Sequence, residues 1–201
     1  MSFFRSSHKE ALIPLGAGIV LLGVAFFLAH RPAEMPIPDS IVAESPSISA
    51  IPSVNTSGWK PYSNSSVGFS VSYDPTLTVR ENDASSVQFY AWGPTQRGQT
   101  ELYDGISLEV RRVAADSFED YVAQQMDQFK NLGGVVIPLH TVTFNGIQGK
   151  SFTGSGLGGA TEIFIALDAS HLIEISYFAP DPGGLGFEEV VQAMLATFKL
   201  I

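Results

Sequence analysis

Positions 11–29, ALIPLGAGIVLLGVAFFLA, run for 19 residues without a charged side chain. As a helix rising 1.5 Å per residue, the run is about 28 Å long, which matches the hydrocarbon core of a bilayer. It therefore predicts a single transmembrane helix and forces the rest of the chain to one side of a membrane. Arg5 and Lys9 precede the span, whereas Arg31 alone follows it closely. That bias places residues 1–10 in the cytoplasm and the remainder outside. A cleaved signal peptide shares the basic start, but its apolar region is shorter, and Leu28-Ala29-His30-Arg31-Pro32 offers no small-x-small cleavage pattern. The expectation is an uncleaved signal anchor in a bacterial cell membrane, single-pass. Gly16, Gly18 and Gly23 lack the G-x-x-x-G spacing, so no pairing of the helix is predicted.

Residues 32–58 hold five prolines (Pro32, Pro36, Pro38, Pro46 and Pro52), many serines and no hydrophobic period that folds alone. They read as a linker reaching about 30 Å as a coil and up to about 80 Å as polyproline helix. Asn55-Thr56-Ser57 and Asn64-Ser65-Ser66 fit the N-glycosylation pattern but carry no weight in a bacterial chain. What remains, 59–201, is long enough to bury one core.

Hydrophobic residues make up 45% and charged residues 15% of the chain, which excludes a disordered polymer. With 11 Lys+Arg against 20 Asp+Glu the net charge is −9, so a phosphate backbone is repelled and nucleic acid is not an expected partner. The chain has no Cys, which removes disulfides, thiolate catalysis and Cys-ligated zinc.

Within 59–201, apolar alternation predicts strands at 68–73, 77–81, 87–92 and 106–111. Asp74-Pro75 ends the first, and the Gly- and Pro-containing stretch 93–105 is a loop. The period then changes: Phe118, Tyr121, Val122, Met126, Phe129 and Leu132 recur at helical steps. Asp116 or Ser117 caps that helix, and Gly133-Gly134 stops it. Strands at 135–144 and 147–153 flank Asn145-Gly146, the dipeptide best suited to a type I′ hairpin turn. A second hairpin joins 160–167 to 171–178 around Asp168-Ala169-Ser170. After Asp181-Pro182-Gly183-Gly184, Phe187, Val190, Val191, Met194, Leu195 and Phe198 form an amphipathic helix predicted to run to the C-terminus.

Hairpins imply an antiparallel sheet, and two helices with one apolar stripe each must cover it, giving an α+β fold with a central antiparallel sheet flanked by helices. Trp59-Lys60-Pro61-Tyr62, the strand Gly68-Phe69-Ser70-Val71-Ser72-Tyr73 with Asp74-Pro75, and the ending Thr197-Phe198-Lys199-Leu200 resemble the PsbP-like family. The resemblance spans 59–201 and implies the Mog1/PsbP α/β/α sandwich. The best known members are extrinsic subunits of photosystem II that help retain calcium and chloride; this chain differs in carrying an apolar span and a Pro/Ser linker where those carry a plastid transit peptide. The resemblance implies a non-catalytic, extracytoplasmic accessory module.

Candidate chemistry is sparse. Gly154-Ser155-Gly156-Leu157-Gly158-Gly159 satisfies G-x-G-x-x-G, but the alternating residues after it predict a strand instead of the helix whose N-terminus a dinucleotide phosphate needs. The segment reads as a loop, with Gly156 and Gly158 as a mobile rim for a pocket. Asp168 and His171 flank a turn and His140 lies in a strand, without H-E-x-x-H or EF-hand spacing, so no metal or other cofactor is expected. No G-x-S-x-G provides a nucleophile elbow, and Ser151 would meet His171 only through the fold, so the chain is not expected to be an enzyme. Glu119-Asp120 and Glu188-Glu189 are surface charge on helices. Arg111-Arg112 is the sole basic doublet of the domain; on a strand the two point to opposite faces, and internal pairing is expected, with Arg111 the candidate for an acidic partner.

Tyr90, Trp92 and Tyr103 border the 93–105 loop as aromatic anchors for a partner, the alternative for Trp92 being ordinary core. The sequence thus predicts a membrane-tethered accessory or protein-binding module that contacts an envelope protein, with a small-ligand or lipid binder using a cleft near the 154–159 loop as the alternative. An envelope hydrolase ranks third. Residues 59–201 carry 8 basic and 16 acidic side chains, a net charge of −8 that predicts a soluble, monomeric domain held at the membrane by 11–29 alone.

Overall fold

The computed structural model describes residues 54–98, 101–155 and 160–201. The expected anchor at 11–29 and most of the 32–58 linker lie outside the described residues, as do Gly156 and Gly158. Among the described residues no helix is long and apolar enough to cross a membrane.

Ten strands and two helices follow in the order β1 (Lys60–Asn64), β2 (Phe69–Tyr73), β3 (Thr78–Asp83), β4 (Ser86–Trp92), β5 (Gly105–Ala114), α1 (Phe118–Asn131), β6 (Val135–Phe144), β7 (Ile147–Ser155), β8 (Ala160–Ala166), β9 (His171–Phe178), α2 (Phe187–Leu195) and β10 (Lys199–Leu200). Seven strands form one antiparallel sheet in the order β3-β4-β5-β9-β8-β7-β6, and β1-β2-β10 form a second. The expected fold class is met in its sheet and its two helices. Asn145 and Gly146 take φ of +47° and +78°, the left-handed pair that the β6–β7 turn requires.

Helix α1 begins where Ser117, not Asp116, accepts the Asp120 amide through its hydroxyl at 3.3 Å. It ends before Gly133, whose φ of +78° favours a residue without a Cβ. One correction concerns the chain's end. The apolar period through Phe198 predicts helix to the C-terminus, but α2 stops at Leu195. The Thr197 hydroxyl turns back to the Met194 carbonyl at 2.8 Å and accepts the Ser72 amide at 2.9 Å, and the chain then pairs with β2 as β10. Phe198 keeps its place in the core by stacking on Phe69, with ring centroids 5.3 Å apart.

The two faces of the large sheet differ. On one, Val87, Phe89, Leu108, Ile173 and Ile175 are buried beneath α2 and the small sheet. On the other, α1 seals only the β6–β9 end, over a smaller cluster of Val122, Phe152, Phe164 and Leu172. Toward β3 that second face turns polar.

Candidate functional site

Registry builds the polar patch. On β5, β9 and β8 the pairings Glu109↔Ser176 and Ser176↔Glu162 align three residues in one row, and Arg111↔Glu174↔Phe164 forms the next. Because side chains two apart share a face, all six point toward the α1 side. Phe164 belongs to the apolar seal under α1, so the other five lie where that seal ends, at the edge marked by Tyr121 and Gln125.

Glu174 is 3% exposed and engaged through one oxygen. Its Oε2 accepts Arg111 Nε at 2.8 Å, forms an ion pair with Arg111 Nη2 at 2.7 Å, and accepts the Tyr121 hydroxyl at 2.6 Å. Burial, with the neighbouring Glu174 carboxylate, pushes the Tyr121 phenol well above its ordinary range. Burial opposes the Arg111 charge, but Glu174, Tyr121 and Glu109 together outweigh it and raise that pKa. Glu109 accepts the hydroxyl of Ser86 and an amide hydrogen of Asn82 at 3.4 Å.

Glu162 differs from both. It is 5% exposed; its Oε1 accepts the Ser176 hydroxyl at 2.8 Å, while its Oε2 is buried without a hydrogen-bond partner. Burial raises its pKa to about 7, with Ser176 and Arg111 pulling down and Glu174 and Glu109 adding to the rise. Near neutrality this carboxyl is divided between its acid and its anion. It sits in a cleft of about 170 Å³ lined also by Glu109, Arg111, Gln125, Glu174 and Ser176.

Next to this patch, Arg80, Gln88, Tyr90, Trp92, Leu102 and Ser107 line a groove of about 420 Å³. The Arg80 guanidinium carbon lies 5.6 Å from the Tyr90 ring centre, and Tyr90 meets Trp92 edge to face at 6.3 Å. Gln88 accepts from Arg80 at 2.5 Å and donates to Ser107 at 2.9 Å, which fixes the floor. Trp92 is 50% exposed, which overturns its reading as core: it ends β4 on the open face. Tyr103 is 41% exposed, but its hydroxyl is tied to the Thr95 carbonyl at 2.5 Å and it does not line the groove. Of the residues singled out in the sequence, the fold thus gathers Tyr90 and Trp92, and places Arg111 in the adjoining patch.

A third depression lies on the opposite face, where the β6–β8 end extends beyond α2. It measures about 640 Å³, with Val142, Phe144, Ile163 and Leu195 as apolar wall and Tyr177, Gln192 and Thr161 as polar points. The Tyr177 hydroxyl donates to Glu188 at 3.0 Å and accepts from Gln192 at 3.0 Å. Burial raises its pKa to about 12.

The fold does not assemble Ser151 with His171. Ser151 is buried and donates to the Glu162 carbonyl at 2.8 Å, whereas His171 opens β9 with Nδ1 3.1 Å from Asp168. Backbone hydrogen bonding from Ser170, then His171, holds Asp168 at about 2. His140 is separate, with Nδ1 3.2 Å from the Pro138 carbonyl. Among the described residues no three His, Cys, Asp or Glu side chains form a metal-ligating group.

No protein-family model matches the chain, and no curated protein matches it. Solved structures similar to it include three from bacteria. One is from Bacteroides thetaiotaomicron, with 14% identity and a TM-score of 0.34 over 68% of this chain; the match spans 46% of that protein's length. The cyanobacterial PsbP of Synechocystis matches 77% of this chain and 99% of its own at 11% identity and a TM-score of 0.47. LpqN of Mycobacterium tuberculosis, a protein involved in cell envelope biogenesis, matches 71% of this chain and 90% of its own at 12% identity and a TM-score of 0.48.

Proposed function

We propose that this chain is a non-catalytic accessory module, tethered by 11–29 outside the cytoplasmic membrane of a bacterium, that binds an envelope protein through the open β3–β5 part of the α1-side face. The observation that carries the reading is Trp92, half exposed beside Tyr90 and Arg80, on a floor whose polar groups are already hydrogen-bonded. An exposed aromatic over a rigid floor buries much area at small entropic cost, which is how interface anchors act. A photo-crosslinking residue placed at Trp92 in native membranes is expected to give one discrete protein adduct, and the same residue at Asp127, on the exposed side of α1, none. Equal labelling at both positions, or none at either, overturns the reading.

The 640 Å³ groove beside α2 favours a second reading, a carrier of a small apolar molecule oriented by Tyr177 and Gln192. Native mass spectrometry distinguishes the two, because a carrier retains a non-covalent mass that an interaction module lacks.

A further inference from the structure

We infer that the cleft over Ser176 is a subsite for one ammonium or guanidinium group, carried by a Lys or Arg side chain of the partner protein. The inference rests on the accessory-module reading and goes beyond it in naming the chemistry recognised. Its basis is the count of donors and acceptors around the cleft. Arg111 donates to Glu174 through Nε, forms an ion pair with it through Nη2, and donates to the Tyr121 oxygen through Nη2 at 3.2 Å. Tyr121 donates to Glu174, and Ser176 donates to Glu162 Oε1. One buried acceptor in the patch is left without a donor, Glu162 Oε2. An unpaired buried carboxylate oxygen is costly, so the group that completes it must donate.

Three carboxylates, Glu109, Glu162 and Glu174, line the cleft against the single guanidinium of Arg111, so the donor it favours is cationic. A bare metal ion is a poorer fit, since no metal-ligating group is found among the described residues. About 170 Å³ accommodates a guanidinium or ammonium head with a short stem, and excludes a nucleotide or a sugar chain. The cleft opens beside the Trp92 groove on the same sheet face, which is the arrangement of an aromatic anchor next to a charged pocket.

The occupant also sets a pH dependence. A cation favours ionised Glu162, whose pKa stands at about 7, so binding expels the remaining proton and strengthens as the pH rises. The charged groups facing Glu162 are Glu109 and Arg111 from β5 and Glu174 from β9, while α1 presents the neutral Gln125; β7 presents Phe152 and, one step farther on the same face, Lys150. Between pH 6 and pH 8 the ionised fraction rises about tenfold, and the affinity is expected to rise with it.

The test uses the full chain in a neutral detergent at low salt, with the Glu side-chain carboxyl carbons labelled for NMR. The probes are the capped tripeptide Gly-Arg-Gly, the same peptide with citrulline in place of Arg, and spermidine. Expected is a saturable shift of the Glu162 carboxyl with the Arg peptide, about tenfold tighter at pH 8 than at pH 6. The citrulline peptide should not bind, and spermidine should bind more weakly than the Arg peptide. Glu162→Gln should weaken the Arg peptide at least tenfold, and Glu109→Gln should weaken it a few-fold while keeping the pH profile. Binding of citrulline equal to that of Arg, a pH-independent affinity, or no shift at all overturns the inference, and the first two need only the unsubstituted protein. Tighter binding of spermidine overturns the protein source of the cation. If the Trp92 crosslink forms equally in Glu162→Gln, the accessory reading stands and the subsite does not; if it forms in neither protein, the reading itself has failed.

Discussion

The two faces of the seven-stranded sheet are woven from the same strands, yet they do opposite things. From β4 one side presents Val87 and Phe89 to the core beneath α2 and the small sheet, and the other presents Ser86, Gln88, Tyr90 and Trp92. From β9 one side gives Ile173, Ile175 and Tyr177, the other Glu174 and Ser176. Each face is also left uncovered at a different end: the α1 side at β3–β5, the α2 side at β6–β8. Buried side chains are concentrated where the alternation is apolar, and exposed aromatic and charged ones where the cover stops. Substituting one side at a time is therefore the way to test the division.

The largest effect belongs to the core face. Phe89 is fully buried and meets Tyr62 edge to face at 5.4 Å and Tyr73 at 5.4 Å, joining the large sheet to the small one. Phe89→Ala is expected to cost about 3–5 kcal/mol in urea denaturation. A cost under about 1 kcal/mol would mean that the two sheets do not share this core.

On the polar side the largest expected loss comes from Arg111→Ala, which strands Glu174 at 3% exposure with only the Tyr121 hydroxyl as partner. Removing one member of a buried pair costs 3–5 kcal/mol in general; because the Arg111 side chain is 43% exposed, about 2 kcal/mol is expected. Arg111→Met with Glu174→Met together should recover most of that loss. If the double substitution is as unstable as the single, the pair contributes packing and not charge.

Much of this architecture was legible in the sequence, and the reasons are local. Period-two alternation located the strands, Asn145-Gly146 fixed a turn that needs positive φ, and Ser117 and Gly133 bounded α1. What failed was non-local. The apolar period runs on through Phe198, and only the Thr197 hydroxyl, reaching 125 residues back to Ser72, and the free edge of β2 turn that stretch from helix to strand. Lys60–Asn64 has no clean alternation and became β1 through pairing with β2. The Glu162 site went unread for a similar reason. A lone Glu in the apolar run Ala160-Thr161-Glu162-Ile163-Phe164-Ile165, and another in Leu172-Ile173-Glu174-Ile175, were the available signal, but that they share a row pair on adjacent strands is a fact of registry.

A change of opposite sign is expected at Glu162. Its folded pKa of about 7 stands above the ordinary carboxyl value, so its contribution is fully present below the unfolded value and is lost as the pH rises through 7. Glu162→Gln should accordingly stabilise the protein at pH 8 by roughly 1–2 kcal/mol, and the gain should vanish toward pH 4. A stabilised protein with a silent cation cleft would place Glu162 among groups kept for binding at a cost in stability. Equal stability of the two proteins across that range would show that Glu162 is not buried as an anion.

The smallest stability effect is expected at Trp92, three residues from Phe89 on the same strand and pointing to the other side of the sheet. At 50% exposure, with its contact to Tyr90 at 6.3 Å, the indole closes no cavity when removed. Trp92→Ala should change stability by no more than about 0.5 kcal/mol, while lowering affinity for the protein captured at that position by roughly thirtyfold, the loss typical of an interface anchor. The contrast with Phe89 is what makes the measurement decisive, since both are aromatic residues of β4 and they differ in the face they serve. A Trp92→Ala protein that loses 2 kcal/mol of stability would put the indole in the core after all, whereas one that keeps both its stability and its partner would leave the open face without an anchor.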